Sequence, residues 1–266
     1  QILAPEMEII TPIRDQQLSR QEEVAFLNQH GFHQTWEKAA YSINQGLWGT
    51  SVGGKETLTS SEALPESAFP SQLQENTSTT ISLTFNKGEV YALDGKVLSP
   101  INLIKQLNAL GSRYAIGRDT HVGDTIIGIK GRVGFEAAGP MIIIKAHELL
   151  EKHTLSKWQS YWKQQLSNWY GMSLHEGQFF DPVLRNIESF LEESQKNVTG
   201  KVSITLHPYR FELKGITSEH DLMQAKFGTY GEMNKGWSAE EAKGFIKILA
   251  NPHKIYHQVN QETISL

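Results

Sequence analysis

Strict alternation marks the clearest strand: Ile81-Ser82-Leu83-Thr84-Phe85 sets every second side chain on one apolar face. It meets Val90-Tyr91-Ala92-Leu93 across Asn86-Lys87-Gly88-Glu89, which predicts a β-hairpin. Asp94-Gly95 turns the chain again, and Ser99-Pro100 starts a helix to about Leu110 with Gly111 as its stop. Residues 122–136 alternate as strand around Ile126, Ile127 and Ile129, interrupted by Gly128, Gly131 and Gly134. A second hairpin is predicted over 201–213, broken at Pro208.

Apolar positions at helical spacing predict four further segments. Ser19 to His30 has Ser19 as N-cap, Glu22 completing a capping box, Val24, Phe26 and Leu27 for contact, and Gly31 as terminator. Segments 140–153 and 156–170 follow, and Asp181-Pro182 caps a helix through Ser194. Trp158, Tyr161, Trp162 and Trp169 form an aromatic stripe suited to a core or a subunit interface rather than to a cofactor. Ser238 to Leu266 reads as a short helix and a polar terminal helix interrupted at Pro252. Ile2 to Pro5 and Glu8 to Pro12 read as a short strand between prolines, and residues 49–79, rich in Gly, Ser, Thr, Glu and Pro, as one long loop. Strands and helices mix without a βαβ rhythm, so the expected class is α+β, an antiparallel sheet with packed helices and a helical tail.

Composition narrows the class only a little. With 39% hydrophobic and 20% charged residues, the chain has the makeup of an ordinary globular protein. A net charge of −4 offers no basic face for nucleic acid. The longest apolar run, Met141 to Ile144, is far too short to span a bilayer. No cysteine is present, which excludes disulfides and thiolate metal sites and fits a reducing, cytoplasmic setting.

Two catalytic look-alikes fail. Gly49 to Glu56 nearly spells a P-loop, but Glu56 stands where Ser or Thr must hold magnesium, and its carboxylate repels phosphate. His147-Glu148-Leu149-Leu150-Glu151 resembles a zinc-protease helix, but Glu151 stands where the second histidine belongs. A solvated helix face is the expected reading, and no metal ligands are assigned.

A different constellation is spread along most of the chain. Ala4-Pro5 with Thr11-Pro12-Ile13-Arg14-Asp15, Tyr41 to Ser51, Ile116-Gly117-Arg118 and Gly128 to Glu136 resemble, in order, segments of the argininosuccinate synthases. Ala146-His147, Asp181-Pro182, Gly200-Lys201-Val202 and Gly244 to Ile248 continue the resemblance. It implies an ATP-dependent ligase in arginine biosynthesis. In that family the ureido oxygen of citrulline attacks the α-phosphorus of ATP, and the amino group of aspartate then displaces AMP.

The resemblance further implies that ATP and Mg2+ belong to an N-terminal nucleotide-binding domain with a Ser-Gly-Gly-x-Asp loop, which these 266 residues do not contain. The chain alone is then expected to be inactive, with no catalytic residue of its own. Residues 1–15 are read as the junction with that domain, 16–248 as the citrulline-binding synthetase domain, and 249–266 as a helix that assembles a homotetramer. Ser42 and Ser51 match two serines that contact citrulline, expected on one loop. Ser42 also suits a helix N-cap, and Ser51 plain turn chemistry.

Two positions depart from the family: Gly123 stands for a glutamate and Phe135 for a tyrosine, a pair associated with recognising citrulline. A carboxylate is the natural partner of an α-ammonium, and losing it is costly. Asp124 is adjacent, but in a strand it points to the opposite face. The loss suggests an N-acylated citrulline, whose acyl group, if acidic, could pair with Lys130 or Arg132. A re-registered site for plain citrulline is the other reading. Outside catalysis, the alternative is a stand-alone ligand-binding or assembly module derived from the family.

Overall fold

The structure is a computed structural model and describes residues 2–33, 41–228, 230–232 and 236–260. The class is α+β, with two antiparallel sheets where the sequence suggests one. Helices α1 (Pro12–Gln16) and α2 (Arg20–Gln29) precede strands β1 (Ser42–Gly46) and β2 (Gly49–Gly53). Then come β3 (Thr79–Asn86), β4 (Glu89–Leu93), β5 (Lys96–Val97), helix α3 (Pro100–Arg113), β6 (Arg118–Asp124) and β7 (Lys130–Glu136). Helices α4 (Ala138–Thr154), α5 (Lys157–His175) and α6 (Pro182–Ser194), strands β8 (Gly200–His207) and β9 (Arg210–Thr217), and helices α7 (Ala239–Leu249) and α8 (Asn251–Val259) complete the order. Contacts divide the chain into two compact units that interleave along it. One is Gln1–Gln72 with Arg118–Ala137, the other Leu73–Gly117 with Ala138–Leu266.

The second unit is built on the sheet β5-β4-β3-β8-β9. Its core takes Ile81, Leu83 and Phe85 from β3 and Val202, Ile204 and Leu206 from β8. Period-two burial on β3 and the pairing of Ile81 with Ile204 and Leu83 with Val202 put these on one face, against Leu103 and Leu107 of α3 and Ile142, Ala146 and Leu150 of α4. Lys87 and Gly88 (φ 49° and 84°) make the tight β3–β4 turn, and Asp94 and Gly95 (φ 49° and 77°) make the next. Both pairs match the left-handed turns that suit the twist of a hairpin. Ser156 caps α5 in a box with Gln159, and Asp181 caps α6 by accepting from the Val183 amide.

Several sequence expectations change. Gly111 does not stop α3, which runs to Arg113; it lies where a Cβ would come 2.7 Å from that of Ala138 on α4. The glycine is there for close approach of two helices, a tertiary demand that looks identical to a terminator in sequence. No strand forms at 2–11; Pro12 instead opens the short α1. Ile126, Ile127 and Ile129 sit in the exposed β6–β7 turn rather than in a strand. Ser19 does cap α2 through the expected box with Glu22. Trp158, Trp162 and Trp169 are 50–62% exposed, so the stripe is not core within this chain. The tail of the terminal helix, 261–266, lies outside the described residues.

Candidate functional site

The sheet of the first unit has the order β1-β2-β7-β6 and gathers most of two segments that carried the resemblance, Tyr41 to Ser51 and Gly128 to Glu136, together with Arg118. The expected loop over 49–79 begins as β2, paired on both sides, because Thr50 and Val52 alternate into a buried face. Ser42 and Ser51 therefore lie on neighbouring strands and not on one loop, and Ser42 opens β1 rather than capping a helix. Ser42 pairs with Gly53 and Asn44 with Ser51. Ser51 pairs with Phe135, Phe135 with Asp119, Val133 with His121, and Gly131 with Gly123. Side chains alternate along each strand, and partners in a pair share a face. Ser42, Asn44, Ser51, Phe135, Val133, Asp119, His121 and Gly123 consequently share the front face.

The back face is covered and polar at its centre. Val52 is fully buried, and Thr50 and Glu136 nearly so. Arg118 Nε donates to Glu136 Oε2 at 2.9 Å, its Nη1 to Glu66 Oε1 at 2.6 Å, and its Nη2 to the Ser71 carbonyl. Ser71 Oγ donates to the other oxygen of Glu136, and the Phe69 ring lies 4.8 Å under the guanidinium. Residues 55–72 thus cover the centre of this face, and Leu64 packs on Gly134 so closely that a side chain there would push it away.

Lys130 and Arg132 belong to the back face as well. Lys130 pairs with Asp124 at 2.5 Å, and Arg132 Nη1 donates to the carbonyls of Glu56 and Thr59 at 3.0 and 2.6 Å. The four expected site residues thus fall on two faces, the serines in front and the two cations behind. Asp124 also points backward, so it does not take the place of a carboxylate at Gly123.

His121 and Asp119 lie ahead of position 122, where the sequence predicts this strand to start. Arg118 to Asp124 carries no apolar alternation to announce it, since this strand leaves most of its side chains half or fully exposed. Gly123 is not empty space: a Cβ there would lie 2.6 Å from His121 Nε2.

Residues 49–56 do not fit a nucleotide's phosphates. They form β2 and the first turn of a 3-10 helix, Lys55–Leu58, with buried Glu56 accepting from the Tyr41 hydroxyl at 3.3 Å. Four 3-10 residues do not present the row of free amides that an α-helix offers an anion. Among the described residues, no group of three or more histidine or acidic side chains is arranged to hold a metal ion. No helix among them is long and apolar enough to cross a membrane.

The second unit holds a polar cluster beside a cavity of about 400 Å³. His147 and Glu151 of α4, expected on a solvated face, are instead folded inward. His147 Nε2 donates to Gln195 Oε1 at 2.9 Å, Gln195 Nε2 to Glu151 Oε1 at 2.9 Å, and Lys163 Nζ to Glu151 Oε2 at 2.9 Å. Helical periodicity could not show this, because the covering groups come from α5 and the end of α6.

Burial holds the His147 imidazole below its ordinary pKa of 6.5, and the nearby Glu151 only partly opposes this. Its folded-state pKa is lowered, so stability is complete above 6.5 and falls as the pH drops from there toward the folded value. Thermal melts between about pH 7.5 and 5 should therefore decline less steeply in His147→Gln than in the parent. Equal slopes would assign the acid sensitivity to other groups.

A family model described as "Arginosuccinate synthase C-terminal domain" matches residues 41–256. The argininosuccinate synthase of Xanthomonas campestris pv. campestris is 35% identical over 267 residues, covering 96% of this chain and 65% of the relative. That of Dictyoglomus turgidum is 34% identical over 256 residues, covering 96% and 64%. The chain thus spans slightly less than two thirds of these relatives' length.

Proposed function

The chain belongs to the argininosuccinate synthase family, and from that premise we propose that it forms the citrulline-binding part of an ATP-dependent ligase acting on an N-acylated citrulline. The observation that carries this reading is the front face of the first sheet. It joins Ser42 and Ser51 to the two positions, Gly123 and Phe135, where the chain departs from its family.

The two serine hydroxyls can donate to and accept from a neutral ureido group, which offers both kinds of partner. An α-ammonium would find no carboxylate at 123. The nearest acid on the same face, Asp119, stands four residues along β6, about 13 Å away. An amide nitrogen, as in an N-acyl derivative, requires no counter-charge.

In the proposed reaction the ureido oxygen attacks the α-phosphorus of ATP and pyrophosphate leaves. The aspartate amino group then attacks the activated carbon and expels AMP, releasing a proton. A urea oxygen is a poor leaving group until it is adenylated. In this reading ATP, its Mg2+ and aspartate are held mainly by a nucleotide-binding part outside these residues. The present chain orients the ureido oxygen, and orientation is a large share of such a barrier. The exposed Phe245, Ile248 and Tyr256 of α7 and α8, with the α5 aromatics, suit contacts between subunits of a cytoplasmic tetramer.

The test is turnover by the complete polypeptide carrying this chain, supplied with ATP, aspartate and citrulline, N-acetylcitrulline or N-succinylcitrulline. AMP and the condensed product should appear only with aspartate present, pyrophosphate also in a single turnover without it, and steady turnover should be faster with an acylated substrate. The 266-residue chain alone should form none. A preference for plain citrulline would remove the acyl reading; no AMP with any substrate would leave a binding or assembly module.

A further inference from the structure

We infer that His121 selects the acyl group, and that this group ends in a carboxylate. The inference rests on the acyl reading above and names the residue and the chemistry. On the front face of the first sheet, the described strands contribute Ser42, Asn44, Ser51, Phe135, Asp119 and His121 as their polar or aromatic groups. His121 is the one basic side chain among them, because Lys130 and Arg132 project to the back.

Its position matters as much as its hydrogen-bonding capacity. The imidazole leans over Gly123, with Nε2, Cδ2 and Cε1 at 2.6, 3.4 and 3.5 Å from where a Cβ would be. The space in which the family's glutamate would start is filled by a hydrogen-bond donor. The polarity of the subsite is inverted: a carboxylate calls for an ammonium, whereas an imidazole N–H calls for an acceptor, best an anionic one. Among the described residues the ring has no hydrogen-bonding partner of its own.

The spacing favours a long acyl group. Ser42 pairs with Gly53, and His121 pairs with Val133, one residue beyond the Val52–Gly134 pair. Ser42 and His121 therefore end one row across four strands, three inter-strand steps or about 14 Å apart. Citrulline, from ureido oxygen to α-nitrogen, covers seven bonds, about 8 Å when extended. A four-carbon diacid half-amide on that nitrogen lengthens the path to twelve bonds, about 14 Å. An acetyl group does not reach.

The experiment compares kcat/KM of the complete enzyme for N-succinylcitrulline, N-acetylcitrulline and citrulline in the parent, His121→Leu and His121→Lys. The parent should prefer the succinyl substrate. His121→Leu should reduce the succinyl-over-acetyl preference by about 10- to 100-fold, mainly through KM, the range expected for one hydrogen bond to a charged group. His121→Lys should restore part of it by putting an N–H donor back at this position. Melting temperatures establish that each variant is folded. If the parent prefers succinyl and His121→Leu keeps that preference, or both acyl substrates weaken equally, the His121 assignment is overturned while the acyl reading stands. If the parent prefers plain citrulline, both fall.

Discussion

Replacing Arg118 with methionine should destabilise the first unit by about 3–5 kcal/mol, the range for removing one partner of a buried ion pair. Arg118 and Glu136 retain 9% and 7% side-chain exposure, so water cannot replace the lost contacts. The guanidinium satisfies three acceptors at once, the carboxylates of Glu136 and Glu66 and the Ser71 carbonyl, and stacks on Phe69. Its loss leaves Glu136 buried with the Ser71 hydroxyl as its remaining donor.

Chemical denaturation would measure the loss, and Arg118→Met/Glu136→Leu should recover much of it, since an apolar pair leaves no buried charge behind. Arg118→Lys should fall between, because one ammonium cannot reproduce a planar fork. A cost under about 1 kcal/mol for Arg118→Met would mean that the pair behaves as an exposed one. The effect should extend to function: Arg118 begins β6, and the same strand carries His121 and Gly123 on its other face.

Glu151→Leu should cost about 2–4 kcal/mol. Glu151 is the acceptor at the end of a relay joining three helices, taking hydrogen bonds from Gln195 and Lys163. Removing it leaves the Gln195 amide short of an acceptor and Lys163 without its counter-ion. The estimate sits below that for Arg118 because Lys163 is 22% exposed and can turn toward solvent. A double-mutant cycle with Lys163→Met isolates the ion pair: a coupling near zero would assign the whole cost to Gln195 and packing.

How much of this was legible in sequence depended on how local the encoding is. Ser19 with Glu22, Ser156 with Gln159, and Asp181 before Pro182 each specify a helix start within four residues. Lys87-Gly88 and Asp94-Gly95 specify turns in two. The core strand β3 announced itself because one face is buried and the other is not. By contrast, β6 has exposed residues on both faces, so no alternation marked its start and His121 passed unseen. Glu151 and His147 looked solvated because nothing in their own helix reveals that α5 and Gln195 cover them.

The sequence by itself determined the α+β class, most helix starts, both clear hairpins and the family, each carried by short patterns or by residues in a preserved order. Only the tertiary structure decided which of those residues share a surface. The reason is parity: side chains in a strand alternate with a period of two, and one residue of register moves a whole set to the other face. Ser51 meets Phe135 and Gly123 stands beside His121, while Lys130 and Arg132 turn away, because β2, β7 and β6 pair in this register and in no other.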